Sequence, residues 1–227
     1  MKTGRVNWYK LSTDFQIEDY INYIDLMEES IEKHKSEMLV RFESQVKEYG
    51  YDEDTAQEFF EHAYLDDYQS LDRTYNLILR KSLFITLYSF METELKRLST
   101  IIENKNLTNI KLNDLNHRGI LRYLFYLEKV NNIEINITPE IRSAFKNYNE
   151  LRNYFVHSND TDITSRQYEK LKSLAGVTFY EYKFLDAKSE YKVEALEKTF
   201  NTNYLDIISH FFEELYLSLD NSGIMSP

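Results

Sequence analysis

Apolar side chains recur at Ile17, Ile21, Ile24, Met27, Ile31, Met38, Phe42 and Val46, with acids and lysines filling the other side. Steps of three, four and seven predict a long amphipathic helix over 14–49. Thr13 with Gln16 offers a capping-box start, and Gly50 offers a stop. Asp54 with Gln57 opens a short helix through the FFEHAYL segment. A second long helix is predicted over 70–103, carrying Leu77, Leu83, Phe84, Leu87, Phe90, Met91, Leu95 and Leu98. Its apolar residues cover more of the circumference, which predicts a central position in the core.

After the Asn-rich stretch ENKNLTNIKLND, another amphipathic helix covers about 115–130. The turn VNNIEINI leads to Thr138-Pro139-Glu140: an N-cap, a proline at the first helical position and an acid in the first turn. This helix runs to about His157, the polar loop SNDTD ends it, and Thr164 with Gln167 caps a short helix. VTFYEYKF at 177–184 alternates and is rich in aromatic and β-branched types. With EYKV at 190–193 it predicts a β-hairpin across LDAKS. A last helix is expected over 194–219. The pattern as a whole predicts an all-α bundle with a long N-terminal helix and a small β-hairpin insert. It reads as one domain over 1–227, with 1–66 as an N-terminal helical extension and 67–219 as the core bundle, the hairpin lying near 177–193. The first long helix is either an appendage or a dimer element.

Composition narrows this picture. Five glycines and two prolines in 227 residues leave few turns, which favours long helices over a many-stranded sheet. The net charge of −11 argues against a protein that coats nucleic acid, but allows one that touches it at a local cleft. With no cysteine, disulfides, thiolate metal sites and cysteine nucleophiles are excluded. The first twenty residues carry acids and no continuous apolar stretch, so no signal peptide is expected. The most apolar run, LFITLYSFM at 83–91, is too short to span a bilayer. A soluble, cytoplasmic protein is the expectation.

Several chemistries lack their residues. There is no glycine-rich phosphate loop, no HExxH and no calcium loop. His210 with Glu214, and Glu58 with His62, have the spacing of two ligands on one helix face. Each lacks a convergent second pair and reads as a solvated i,i+4 pair. His34 and His117 have no evident partner. Glu181-Tyr182-Lys183 resembles the Glu-x-Lys of metal-dependent nucleases, but that chemistry needs a further acid on a central sheet that this chain lacks. Alternating charge on a strand is the better reading. No metal and no cofactor is expected.

The segment that stands out is RNYFVH, at the end of the best-capped helix. With ten arginines and five histidines in the chain, chance alone yields about 0.2 such spacings, and an Asn directly after the Arg lowers this roughly tenfold. Five residues advance a helix by about 140°, so Arg152 and His157 do not share a face of a straight helix. For them to converge, the helix must end or deform near 156–157, or two copies must face each other. The trio suits RNA cleavage by internal attack of the ribose 2′-hydroxyl. Imidazole moves a proton near neutrality, and guanidinium offers a rigid fork to phosphate oxygens. Asn153 would orient the phosphate or hold the histidine tautomer. The plainer alternative is a helix C-terminus decorated with cations that favour its dipole.

RNYFVH resembles the Arg-(polar)-x4–6-His signature of the HEPN superfamily, helical domains found in many toxin and antiviral-defence ribonucleases. YSFMETELKRL at 88–98 is similar to the family's earlier helix, which often carries an acid facing the motif. The resemblance covers roughly 70–219. It implies a homodimer in which two motif helices meet in one composite, metal-independent endoribonuclease site acting on RNA, for example tRNA or mRNA. By position, Arg152 and His157 would be catalytic and Asn153 supporting, with Glu92 as the acid and Glu94 the weaker choice. It also implies a toxin or abortive-infection role in antiviral defence, with an antitoxin or regulatory protein as a further partner and no membrane association. Some toxin members carry a tyrosine two residues after the histidine, where a partner enzyme modifies them; here that position is Asn159. Asp160 and Asp162 would repel RNA unless Arg142, Lys146, Arg166 and Lys170 offset them. The alternative from another class is a non-catalytic HEPN-like module that binds a partner protein in a defence or toxin–antitoxin assembly.

Overall fold

The computed structural model describes residues 7–105, 107–157, 162–183 and 189–224. Helix α1 (Trp8–Tyr49) is 42 residues long, or about 63 Å. It begins six residues before the sequence places it. Asn7 caps it, its side chain accepting the Lys10 amide at 3.2 Å. Nothing in WYKLST breaks a helix, so Thr13 sits inside it, fully buried, and is not a cap. Gly50 stops α1 in the left-handed conformation (φ 66°), as the pattern predicts.

The first half of α1 belongs to the core: Ile17 and Ile24 are buried there, and α1 packs on α4 (Asn76–Asn104) and α8 (Phe200–Asn221). Its second half builds a satellite cluster with α2 (Glu53–Ala63), where Phe42 meets Phe59, Phe60 and Tyr64 at ring distances of 5.1–6.1 Å. Asp52, not Asp54, caps α2.

Helix α3 (Leu65–Gln69) continues through a π-helical stretch, Ser70–Tyr75, into α4. The central position expected for this segment holds. Phe84, Leu87, Met91, Leu95, Leu98 and Ile102 of α4 have no exposed surface. Around it stand α5 (Ile120–Phe125), which runs into a second π stretch at Tyr126–Val130, then α6 (Pro139–His157) and α8. The helix predicted from about 115 starts only at Ile120, because Gly119 takes φ 58° and ψ −149°, a backbone region open essentially to glycine. Thr138 opens α6 as the sequence predicts, its hydroxyl accepting the Ile141 amide at 3.4 Å.

Strands β1 (Ile163–Thr164), β2 (Val177–Tyr182) and β3 (Glu190–Leu196) form one antiparallel sheet in the order β1-β3-β2. The hairpin is therefore joined by a third strand. Thr164 and Gln167 make the expected reciprocal cap on α7 (Ser165–Leu171). The sheet packs its Phe179, Tyr191 and Val193 toward the core, and Tyr191 stacks on Tyr168 of α7 at 3.9 Å. Strand β3 runs to Leu196, which is buried, so α8 starts at Phe200 and not at 194. The structure is thus a mostly helical bundle with a long first helix and a small sheet. Among the described residues no helix is long and apolar enough to cross a membrane.

Candidate functional site

Helix α6 buries Phe145, Tyr148 and Leu151 against the core. This leaves Asn149, Asn153 and His157, spaced by four, as a stripe along an adjacent face. Arg152, one turn beyond Tyr148, reaches around this stripe. Its Nη1 lies 3.2 Å from Asn153 Oδ1, to which it donates, and 3.3 Å from His157 Nε2. The helix ends at His157, so the convergence that the 140° offset demanded is met within one chain. With guanidinium as donor, Nε2 is the accepting nitrogen, and the imidazole carries its proton on Nδ1.

Two further elements close the site. From α4 come Tyr88 and Glu92, again spaced by four. From the segment before α5 come Arg118 and Gly119. Together with Leu121, Asn149, Arg152, Asn153 and His157 they line a cleft of about 540 Å³. The segment is held from outside, where Arg122 Nε donates to the His117 carbonyl at 2.6 Å and the His117 ring stacks on Phe125 at 4.5 Å. Gly119 comes so close that a Cβ on it would lie 3.5 Å from Tyr88 Oη, 3.8 Å from Asn149 Oδ1 and 3.9 Å from Glu92 Oε1.

Tyr88 forms the floor. It is buried, donates to Asn149 Oδ1 at 2.7 Å, and has the Arg152 guanidinium over its ring at 5.7 Å. Burial first, then the nearby Glu92 carboxylate, pushes the Tyr88 phenol well above its ordinary range, so it stays a neutral donor. The same two causes raise Tyr123. Arg152 Nε is buried and meets no acceptor among the described residues, an arrangement that costs about 1–3 kcal/mol. Two guanidinium groups, one imidazole and one carboxylate give the cleft a local positive balance inside a chain of net charge −11. Such a cleft attracts an anion of phosphate type.

The structure brings together Arg152, Asn153, His157 and Glu92, the four candidates from the sequence. Glu94 points elsewhere: it is buried with Arg97, Thr13 and Tyr216. Of the cations offered to offset nearby acids, Arg142 is paired with Glu128 and donates to the Ile135 carbonyl, and Lys170 is paired with Glu150. Asp162 faces Lys192 at 3.6 Å. Asn159 and Asp160 lie outside the described residues. Sequence reasoning missed Tyr88, Asn149, Arg118 and Gly119. The first two had a signal, standing four residues before Glu92 and Asn153 on their helices; Arg118 and Gly119 had none, because only tertiary folding carries their segment over the cleft. Among the described residues no group of three metal-ligating side chains occurs. Glu181 sits on β2 of the small sheet, where it accepts from Tyr191 Oη at 3.4 Å.

No protein-family model, curated protein or solved structure matches the chain.

Proposed function

We propose that the protein is a metal-independent endoribonuclease of the HEPN type, a toxin or antiviral-defence effector in which Arg152 and His157 act on one scissile phosphate of RNA. The observation that carries this is the placement of Arg152 Nη1 3.3 Å from His157 Nε2 in an open cleft of positive balance. His157 Nε2 takes the proton of the ribose 2′-hydroxyl as its oxygen bonds to phosphorus. Arg152 meets the charge that builds on the phosphoryl oxygens, and Asn153 holds the guanidinium in place. The bond to the 5′-oxygen breaks, giving a 2′,3′-cyclic phosphate and a 5′-hydroxyl. The leaving oxygen takes its proton from a second imidazole, which His157 of the partner subunit supplies in a homodimer. No cofactor enters these steps. The purified protein is expected to cut single-stranded RNA in EDTA. Arg152→Ala and His157→Ala are each expected to lower the rate by about 10²–10⁴-fold. Undiminished cleavage by both variants would remove these residues from the mechanism.

A second reading is favoured by a different face. Trp8, Phe15, Leu26 and Val40 of α1 are 57–73% exposed, on the side away from the core. On this reading the protein is a non-catalytic module of the same type that docks a partner protein in a defence or toxin–antitoxin assembly. A stable heteromeric complex on gel filtration, with no cleavage by the isolated chain, would select it.

A further inference from the structure

Glu92 is the one carboxylate among the described residues lining the cleft. It forms no hydrogen bond and no ion pair within the described chain, although Arg118 and Arg152 line the same cavity. The Arg152 guanidinium turns to Asn153 and His157 instead. Both Glu92 oxygens are therefore open acceptors. Asn149 stands across from it on α6, and the Tyr88 hydroxyl already donates to Asn149 Oδ1, so its amide nitrogen is the end left to donate. A Cβ on Gly119 would lie 3.9 Å from Glu92 Oε1 and 3.8 Å from Asn149 Oδ1, so both side chains border the same stretch of backbone.

A flat ligand entering the cleft meets a carboxylate with two open oxygens, and Asn149, lining the same cleft from α6, has its amide nitrogen left to donate. Unstacked RNA bases are read on such edges by hydrogen bonds. Guanine alone carries two adjacent donors on one edge, N1–H and the N2 amine, with the O6 acceptor next to them. Adenine and cytosine offer a single amino group there, and uracil a single imide N–H. A carboxylate that accepts two parallel hydrogen bonds is both stronger and more selective than one that accepts a single bond.

We propose that Glu92 and Asn149 form a guanine-reading subsite: Glu92 accepts from N1–H and the N2 amine, and Asn149 donates to O6. This rests on the ribonuclease reading and names its substrate, single-stranded RNA with an unpaired guanosine beside the scissile phosphate. Pairing would occupy the same edge, so duplex RNA is excluded. A cleft of about 540 Å³ has room for one nucleotide.

The full chain is titrated with 3′-GMP, 3′-IMP, 3′-AMP, 3′-CMP and 3′-UMP by calorimetry, and cut sites are mapped on random single-stranded RNA digested in EDTA. 3′-GMP is expected to bind about tenfold or more tighter than the adenine and pyrimidine nucleotides. 3′-IMP, which lacks the N2 amine, falls between. Glu92→Gln erases the preference while leaving the melting temperature in place, and cuts cluster at guanosine. Equal affinities, absence of binding by all five nucleotides, or a preference that survives Glu92→Gln overturns the subsite. Preference for 3′-GMP without cleavage keeps the subsite and removes the ribonuclease. Unselective binding with unselective cleavage does the reverse.

Discussion

Glu92 and Glu94 stand two residues apart on α4 and face opposite sides of it. Glu94 is 4% exposed and fully engaged: Thr13 Oγ1 donates to it at 2.9 Å, and Arg97 donates to both its oxygens. Arg97 in turn lies over the Tyr9 ring at 5.1 Å and donates to Tyr216 Oη at 3.3 Å. This closed network ties α1 to α4 and α8. Glu92 has the same side chain, a cleft instead of a seal, and no hydrogen-bond or ion-pair partner among the described residues. A carboxylate whose acceptors are all filled from within the chain is a fastening. One left open beside two arginines is poised for something that enters from outside.

The two carboxylates are expected to part most clearly on mutation. Glu94→Ala leaves Arg97 half-buried without its counterion, and is expected to destabilise the fold by about 3–5 kcal/mol. Glu92→Ala is expected to stay within about 0.5 kcal/mol, both read by urea unfolding. A large loss for Glu92 would mean that the cleft is structural. A second buried fastening, Glu28 on α1 with Arg80 on α4 at 2.6 Å, predicts a similar loss for Arg80→Ala; Arg80 also holds the Leu196 carbonyl at 2.8 Å.

A smaller effect follows from the phenols of the core. Burial raises Tyr148 to about 12, and also raises Tyr88 and Tyr204. A raised folded value means that the stability is fully present below the unfolded value near 10 and is lost as pH climbs through the folded one. Tyr148 alone is expected to remove on the order of 2–3 kcal/mol by pH 12. Tyr148→Phe should flatten this alkaline limb, as followed by denaturant midpoints from pH 9 to 12.

Gly119→Ala comes next. Its Cβ has room at 3.5 Å, but its backbone sits where alanine is strained, for a cost of about 1–3 kcal/mol. The smallest change is Tyr88→Phe, which removes the donor that fixes Asn149 and is expected to cost about 0.5–1.5 kcal/mol in stability.

Local rules made much of this legible. Thr138-Pro139-Glu140 and Thr164-x-x-Gln167 act within one turn of their own helix, and both caps form where the sequence places them. The wide apolar face from Leu83 to Leu98 marked the central helix, because only a helix packed on several sides can bury so broad a face. Two boundaries failed for non-local reasons. Thr13 looked like a cap, but its hydroxyl is taken by Glu94, 81 residues away. Val193–Leu196 stayed strand because its partner Val177–Phe179 extends the ladder. In the site, Arg152, Asn153 and His157 could be named from the residues at one helix end and Glu92 from the resemblance carried by YSFMETELKRL, whereas Arg118 lies just ahead of α5, where Gly119 delays a helix that the pattern begins near 115.

Internal attack by the ribose 2′-hydroxyl leaves its mark on the ends of the cut RNA. RNA digested by the wild-type protein in EDTA, with its ends identified by mass spectrometry, is expected to carry 2′,3′-cyclic phosphates and 5′-hydroxyls, and the His157→Ala digest is expected to carry neither above background. Ends bearing 5′-phosphate, a requirement for added divalent metal, or an unchanged digest from His157→Ala would contradict it.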